Sequence, residues 1–178
     1  MKKVLVILSL MGVVWGYEYC FEKAGRRYGI NPLLLYAIAK VESNFNPRAV
    51  NYNENGTYDI GVMQINSSWL PVLRKYGIRE ESLYNPCINI HVGAWVLAQC
   101  VAKYGWSWRA IDCYNKGSKA RENSEYVWKV YYAYLESRRG IIRPRNNSLS
   151  RQRKYVEKRR SFAKQRQKTV KLSSYLTR

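Results

Sequence analysis

A glutamate that closes an apolar run has the makings of a proton donor. Glu42 ends the stretch Pro32-Leu-Leu-Leu-Tyr-Ala-Ile-Ala-Lys-Val-Glu-Ser43, four residues after Ile38 and seven after Leu35. Those spacings put the three side chains on one face of a helix. An apolar face desolvates a carboxylate, and the last turn of a helix presents the negative end of its dipole. Both push toward a raised pKa, and an acid that keeps its proton near neutrality is what glycosidic bond cleavage requires. The same position suits a glutamate reaching from a helix end into water, and most such residues are structural. Position by itself favours that plainer role.

The elements around Glu42 are legible from caps and periodicity. Residues 17–28 read as a first helix, with Phe21, Ala24 and Tyr28 at helical spacing and Gly29 to end it. Asn31 can cap the next helix and Pro32 suits its first position. Asn51-Tyr-Asn-Glu-Asn-Gly56 is dense turn chemistry, and Thr57 to Ile65 is short and β-like. A small loop or hairpin beside the end of the Glu42 helix is expected there, not a true sheet. Asn66-Ser-Ser68 caps a helix that begins near Trp69, carries Pro71 in its first turn and stops at Tyr76-Gly77. Asn85-Pro86 opens another, with Val92, Trp95, Val96 and Ala102 as its apolar side and Gly105 at its end. Ser107 caps a short helix that Asn115-Lys-Gly117 breaks. A last core helix runs from about Ser124 to about Arg138 through Val127, Val130, Tyr131 and Tyr134.

Charge divides the chain of 178 residues. Residues 17–136 carry 14 Lys/Arg and 11 Asp/Glu, whereas residues 137–178 carry 15 Lys/Arg and the single acid Glu157. The net charge of +19 therefore belongs mostly to a basic C-terminal extension, 140–178, too poor in apolar residues to build a core. It suits an anionic surface or an acidic partner. Nucleic acid is not favoured, because no base-reading motif accompanies the charge. At the other end, residues 1–16 have the form of a signal peptide: Lys2 and Lys3, then the apolar run Val4 to Val14, then cleavage after Gly16. Export makes Cys20, Cys87, Cys100 and Cys113 candidates for two disulfides, and four cysteines allow three pairings. A metal site is not expected, since no C-x-x-C spacing occurs and His91 is the single histidine. No cofactor is expected either.

Three ordered motifs carry a resemblance. Glu42-Ser43, then Gly61-Val-Met-Gln64 with Asn66, then Tyr114-Asn115 follow one another with short gaps. Around them lie Tyr28-Gly-Ile-Asn-Pro-Leu-Leu-Leu35, Tyr58-Asp-Ile-Gly-Val-Met-Gln-Ile-Asn-Ser-Ser-Trp-Leu-Pro-Val-Leu73 and Leu83-Tyr-Asn-Pro-Cys-Ile-Asn-Ile-His-Val-Gly-Ala-Trp-Val-Leu97. From about residue 18 to 136 the chain resembles the soluble lytic transglycosylase family. It is most similar to the small enzymes that accompany type III and type IV secretion and conjugation systems. The resemblance implies a mainly α, goose-lysozyme-like domain over 17–139 with a small loop or hairpin region, acting on peptidoglycan in the periplasm or outside the cell. It implies Glu42 as the single acid/base and Ser43 as an aid to positioning. It makes Met63, Gln64 and Asn66 lining of the cleft wall opposite. It puts the Tyr114 hydroxyl near the Glu42 carboxyl and Asn115 against sugar. Gly61 has the plainer alternative of serving backbone geometry alone, and Met63 that of core packing. Cys20 and Cys87 occupy positions that pair in such enzymes, which leaves Cys100 with Cys113. Val62 departs mildly from the family's usual Leu, and Cys113 stands where a small residue is usual before Tyr-Asn.

The chemistry so implied cleaves the MurNAc–GlcNAc bond and forms a 1,6-anhydro sugar without adding water. A lysozyme-type hydrolase with two carboxylates is the nearer rival, and Asp59 and Glu54 are the acids in the loop after Glu42. A non-catalytic wall-binding scaffold is the other, disfavoured by the intact Glu42, Gln64 and Tyr114.

Overall fold

The computed structural model describes residues 17–142. The expected leader, residues 1–16, and the basic extension beyond Ile142 lie outside the described residues. The chain divides after Gly140 into two units, and the first of them holds the helices and sheet that build the cleft.

Six α-helices, three 3₁₀ turns and one small sheet are the regular elements of the described residues. Helix α1 spans residues 17–28 and turns at Gly29, φ +67°. Helix α2, Pro32–Ser43, starts where Asn31 accepts from the Leu33 N–H at 3.0 Å and Pro32 takes the first position. It ends at Asn44, whose left-handed backbone (φ 50°) returns its N–H to the Lys40 carbonyl. Helix α3, Leu70–Arg74, is shorter than expected: Trp69 belongs to a 3₁₀ turn, Ser67–Trp69, capped by Asn66, and residues 75–77 have already left the helix as a turn. Helix α4, Pro86–Tyr104, is capped by Asn85, which accepts from the N–H groups of Cys87 and Ile88. Helix α5, Trp108–Lys116, is capped by Ser107 through the Ala110 N–H. Helix α6, Glu125–Ile142, runs past the expected stop near Arg138 and through Gly140.

The expectation of no true sheet is corrected. Strands β1 (Val50–Tyr52), β2 (Tyr58–Ile60) and β3 (Ile65–Asn66) form an antiparallel sheet in that order. The β1–β2 hairpin closes through residues 53–57, where Gly56 takes φ +79°. Strand β3 has only two residues, too few for an alternation to be read. It exists because the tight turn Gly61–Gln64 throws Ile65 and Asn66 back beside Ile60 and Asp59.

Helix α4 is the axis of the core and packs against α2, α5 and β3. Leu35 and Ile38 of α2, Ile60 and Ile65 of the sheet, Ile90 and Leu97 of α4 and Val130 of α6 are almost wholly excluded from water. The apolar side assigned to α4 needs one correction. Val92 and Val96 are buried, but Ala102 is exposed, and Ile90, Leu97 and Cys100 complete the face instead. Ala102 lies in the last turn, beyond the span that α2 and the sheet cover.

The cysteines pair Cys20 with Cys87, tying α1 to α4, and Cys100 with Cys113, tying α4 to α5. The second bridge closes a separation of 13 residues. Loops of that size restrict the unfolded chain by about 3 kcal/mol. Replacing both Cys100 and Cys113 by alanine is therefore expected to lower unfolding free energy by that amount in urea melts. A change under about 1 kcal/mol would mean that α4–α5 packing alone sets the geometry.

Candidate active site

Glu42 is delivered by α2 to a cleft of ≈ 780 Å³. Along α2, Leu35, Ile38 and Ala39 are buried, and Glu42 continues their stripe to the point where the core opens. Burial is the largest influence on its carboxyl and raises its pKa. The Tyr126 hydroxyl donates to Glu42 Oε1 at 2.5 Å and favours the ionised form; the charge of Asp59 opposes that. Burial wins, and the pKa is raised to about 7. Tyr126, itself buried, stays protonated, its own pKa pushed well up by burial and by Glu42. The pair is thus an acid whose pKa is raised toward neutrality, held by a tyrosine that keeps its proton.

Beside the end of α2 lies the turn Gly61–Gln64, of which Gln64 lines the cleft. Gly61 adopts φ +78°, and a Cβ there would meet Asn89 Nδ2 at 2.4 Å and the Leu83 carbonyl at 2.7 Å. Backbone conformation and close approach both require glycine. Asn89 of α4 is fully buried and ties the turn, the end of β2 and the carbonyl of Leu83 together. Its Nδ2 donates to the Ile60 carbonyl (2.9 Å) and the Leu83 carbonyl (2.9 Å), and its Oδ1 accepts from the Met63 N–H (2.7 Å). Ser43 closes the circuit by donating from Oγ to the Val62 carbonyl at 2.8 Å. The residue after the acid is thereby fastened to that turn. Gln64 and, just past Glu42, Asn44 and Phe45 all have positive φ. Such backbone in non-glycine residues persists where the surroundings over-determine it, and it clusters at functional sites.

The expected site residues separate into two groups. Glu42, Gln64, Asn66, Tyr114 and Asn115 all line the cleft. Met63 does not: its side chain is fully buried, packed where a Cβ on Gly93 would collide with it, so core packing is its role. Ser43 acts through Val62 and is not part of the lining. Gln64 spends its amide on the turn, donating to the carbonyls of Gly61 and Ala49 and accepting from Asn51. Asn66 likewise donates to Thr57 and Asp59. Asn115 is exposed at the rim. The Tyr114 hydroxyl donates to the Met63 carbonyl at 2.7 Å instead of to Glu42, although Glu42 lies near enough to help raise its pKa. The hydroxyl on the acid belongs to Tyr126.

Asp59 lines the same cleft, its carboxylate accepting from Asn66 (2.8 Å) and Asn53 (3.0 Å). Glu54 sits exposed on the hairpin tip, outside the lining. The two departures from the family pattern are absorbed locally. Val62 is buried in the core, and Cys113 forms the bridge to Cys100, both sulfurs' residues lining the cleft.

Sequence reasoning does not single out Tyr126, Asn89 or Asp112. Buried Asp112 accepts from Ser124 Oγ at 2.5 Å and from the Arg121 N–H at 2.7 Å. Ser124 Oγ in turn accepts from the Val127 N–H. That chain pins the start of α6, and with it Tyr126, to α5. Asn89 leaves a readable sign: a polar residue four before Gly93 on the apolar side of α4. Tyr126 leaves none, being one tyrosine among 16.

Residues 19–129 match the Transglycosylase SLT domain. The chain belongs to this family. Transglycosylase SLT membership makes it a peptidoglycan lytic transglycosylase. Protein IpgF of Shigella flexneri is 43% identical over 124 residues, covering 67% of this chain and 82% of that protein. Invasion protein IagB of Salmonella typhi is 33% identical over 150 residues, 82% of this chain and 94% of that one. The X polypeptide of Escherichia coli is 37% identical over 154 residues, with 81% and 91% covered. Among solved structures, an inactive mutant of lytic transglycosylase Slt from Pseudomonas aeruginosa superposes with a TM-score of 0.57 at 21% identity. That match covers 71% of this chain and 24% of Slt, and it supports the helical, lysozyme-like fold of the SLT domain.

Proposed function

We propose that Glu42 alone performs both proton transfers of the transglycosylase reaction. The observation that carries this is its carboxyl, largely buried in the cleft and bonded to Tyr126 at 2.5 Å, surroundings that raise its pKa to about 7. Protonated Glu42 donates to the glycosidic oxygen between MurNAc and GlcNAc, and the GlcNAc side leaves as an alcohol. Positive charge develops on the MurNAc ring, where the substrate's own acetamido oxygen can share it. Ionised Glu42 then takes the proton of the C6 hydroxyl as that oxygen attacks C1. The product carries a 1,6-anhydro bond, no water is consumed, and Glu42 ends protonated. A pKa near the working pH suits one group that must be acid and then base. Asn115 at the rim is assigned to sugar contact, and Gln64 and Asn66 to holding the wall that shapes the cleft.

The hydrolase reading has one specific observation in its favour, since Asp59 shares the cleft. Its carboxylate is occupied by two asparagine amides, which suits a fixed charge better than a nucleophile or a base aimed at water. Mass spectrometry of wall digests separates the readings. Glycan ends lighter by one water, as anhydro-muramic acid, are expected to dominate; a majority of reducing ends would overturn the transglycosylase mechanism.

Since the substrate is the wall, action in the periplasm or outside the cell follows, with residues 1–16 as the exported leader and 17–139 as the catalytic domain. Similarity to IagB, named an invasion protein, supports local opening of the wall for a secretion or conjugation apparatus. The basic residues beyond Ile142 are assigned to an anionic surface or acidic partner. Deleting 143–178 is expected to leave cleavage of soluble strands intact and to weaken retention on anionic vesicles, most visibly at low salt. Unfolding on truncation would make the extension structural instead.

A further inference from the structure

One face of α4 forms the far wall of the cleft. Val96, Gln99, Cys100 and Lys103 stand at steps of three, four and seven and all line it. Three charged residues line the cleft: Glu42, Asp59 and Lys103. Lys103 is therefore the single cation among the described lining residues. It is exposed, and none of the ion pairs among the described residues uses it. Its Nζ lies 5.1 Å from the centroid of the Tyr104 ring, which also takes the Arg109 guanidinium at 4.7 Å. It sits in the last turn of α4, where the helix dipole favours positive charge. The sheet wall is different in kind: Asn53, Asn55, Thr57 and Asn66 are neutral, and Asp59 is acidic.

With each lactyl carboxyl amide-linked to its stem, an N-acetylated glycan strand is uncharged along its sugars. Its carboxylates are carried by the peptide stems attached to the lactyl group of muramic acid. In this cleft an anionic group near Asp59 and Glu42 is repelled, and the Lys103 end receives it. From Val96 to Lys103 the wall extends about 10 Å, the scale of a disaccharide unit. We propose that Lys103 is a specificity-determining residue that binds a carboxylate of the peptide stem and so sets which way a strand lies against Glu42. This rests on the transglycosylase reaction proposed for Glu42 and deepens it: the preferred substrate is peptide-bearing, not bare, glycan.

The test compares kcat/KM of the full chain on uncrosslinked strands with free-carboxylate stems and on strands whose lactyl groups carry a neutral amide in place of the stem. The wild-type chain is expected to favour stem-bearing strands, and Lys103→Met to reduce that preference about fivefold, the worth of one partly exposed ion pair. The change should lie in KM, shrink with added salt, and be restored by Lys103→Arg. Capping the stem carboxylates as amides should abolish the wild-type preference without any mutation, so the result does not depend on the variant folding. Loss by the same factor on both substrates, or a preference that survives capping, overturns the role of Lys103 while leaving the reaction standing. Absence of anhydro ends from either substrate with the wild-type chain overturns the underlying mechanism instead.

Discussion

Glu42→Gln is expected to abolish lysis, with a fall in turnover of at least about 10³-fold, while strand binding survives. Glutamine keeps the size of the side chain and can accept from the Tyr126 hydroxyl as Oε1 does now. What it loses is the proton that must be given to the leaving oxygen and taken from the C6 hydroxyl. Turbidity assays on purified sacculi, paired with co-sedimentation, read the two effects separately. Lysis at the wild-type rate would dismiss Glu42 as the acid. The same substitution has a thermodynamic signature. The Glu42 pKa is raised by folding from 4.5 to about 7. Below pH 4.5 both folded and unfolded chains hold the proton, and burial of the acid costs nothing in ionisation. As pH rises toward 7 the unfolded chain ionises while the folded one does not, so stability falls by up to about 3 kcal/mol and then levels. Glutamine feels no such loss. The variant should therefore be more stable than the wild type above about pH 7, and the two should converge in acid. A gap that stayed constant from about pH 4 to about pH 8 would mean the carboxyl is solvated.

Asn89→Ala should destabilise the fold by about 4 kcal/mol, because it strands three backbone groups in a dry interior at once. The Met63 N–H and the carbonyls of Ile60 and Leu83 have Asn89 as their common partner. Each lies beside the turn to which Ser43 is fastened, so activity should fall even at temperatures where the variant remains folded. A water that entered the vacated space could satisfy at most part of the set. Chemical denaturation gives the first number and initial rates at low temperature the second. Loss of stability with wild-type kcat would show that the turn keeps its shape without Asn89. Asn89→Asp is a sharper probe, since it keeps the acceptor for Met63 and removes both donors.

Legibility in the sequence depends on the kind of interaction involved. The capping of α2 by Asn31 and Pro32, the place of an acid at the end of an apolar stripe and the hairpin turn at Gly56 are local, and local patterns predict them. Strand β3 escapes such patterns because two residues carry no period. Met63 reads as cleft lining but lies in the core, because a residue between two turn-forming positions can point either way until α4, through Gly93, comes to meet it. Tyr114 reads as the partner of the acid, yet that hydroxyl belongs to Tyr126, for a similar reason. Both are tyrosines near α5 and α6, and only the Asp112–Ser124 link, which draws the start of α6 inward, decides which one reaches the acid.

The order of residues by itself determined which groups could do chemistry, where each helix starts and that one acid would meet a greasy face. Tertiary structure alone decided that acid's working pKa, its tyrosine partner and the charge at the far end of the cleft. The reason is range: caps and periodicity act within a few residues, whereas desolvation and hydrogen bonds here join positions as far apart as Glu42 and Tyr126, 84 residues along the chain.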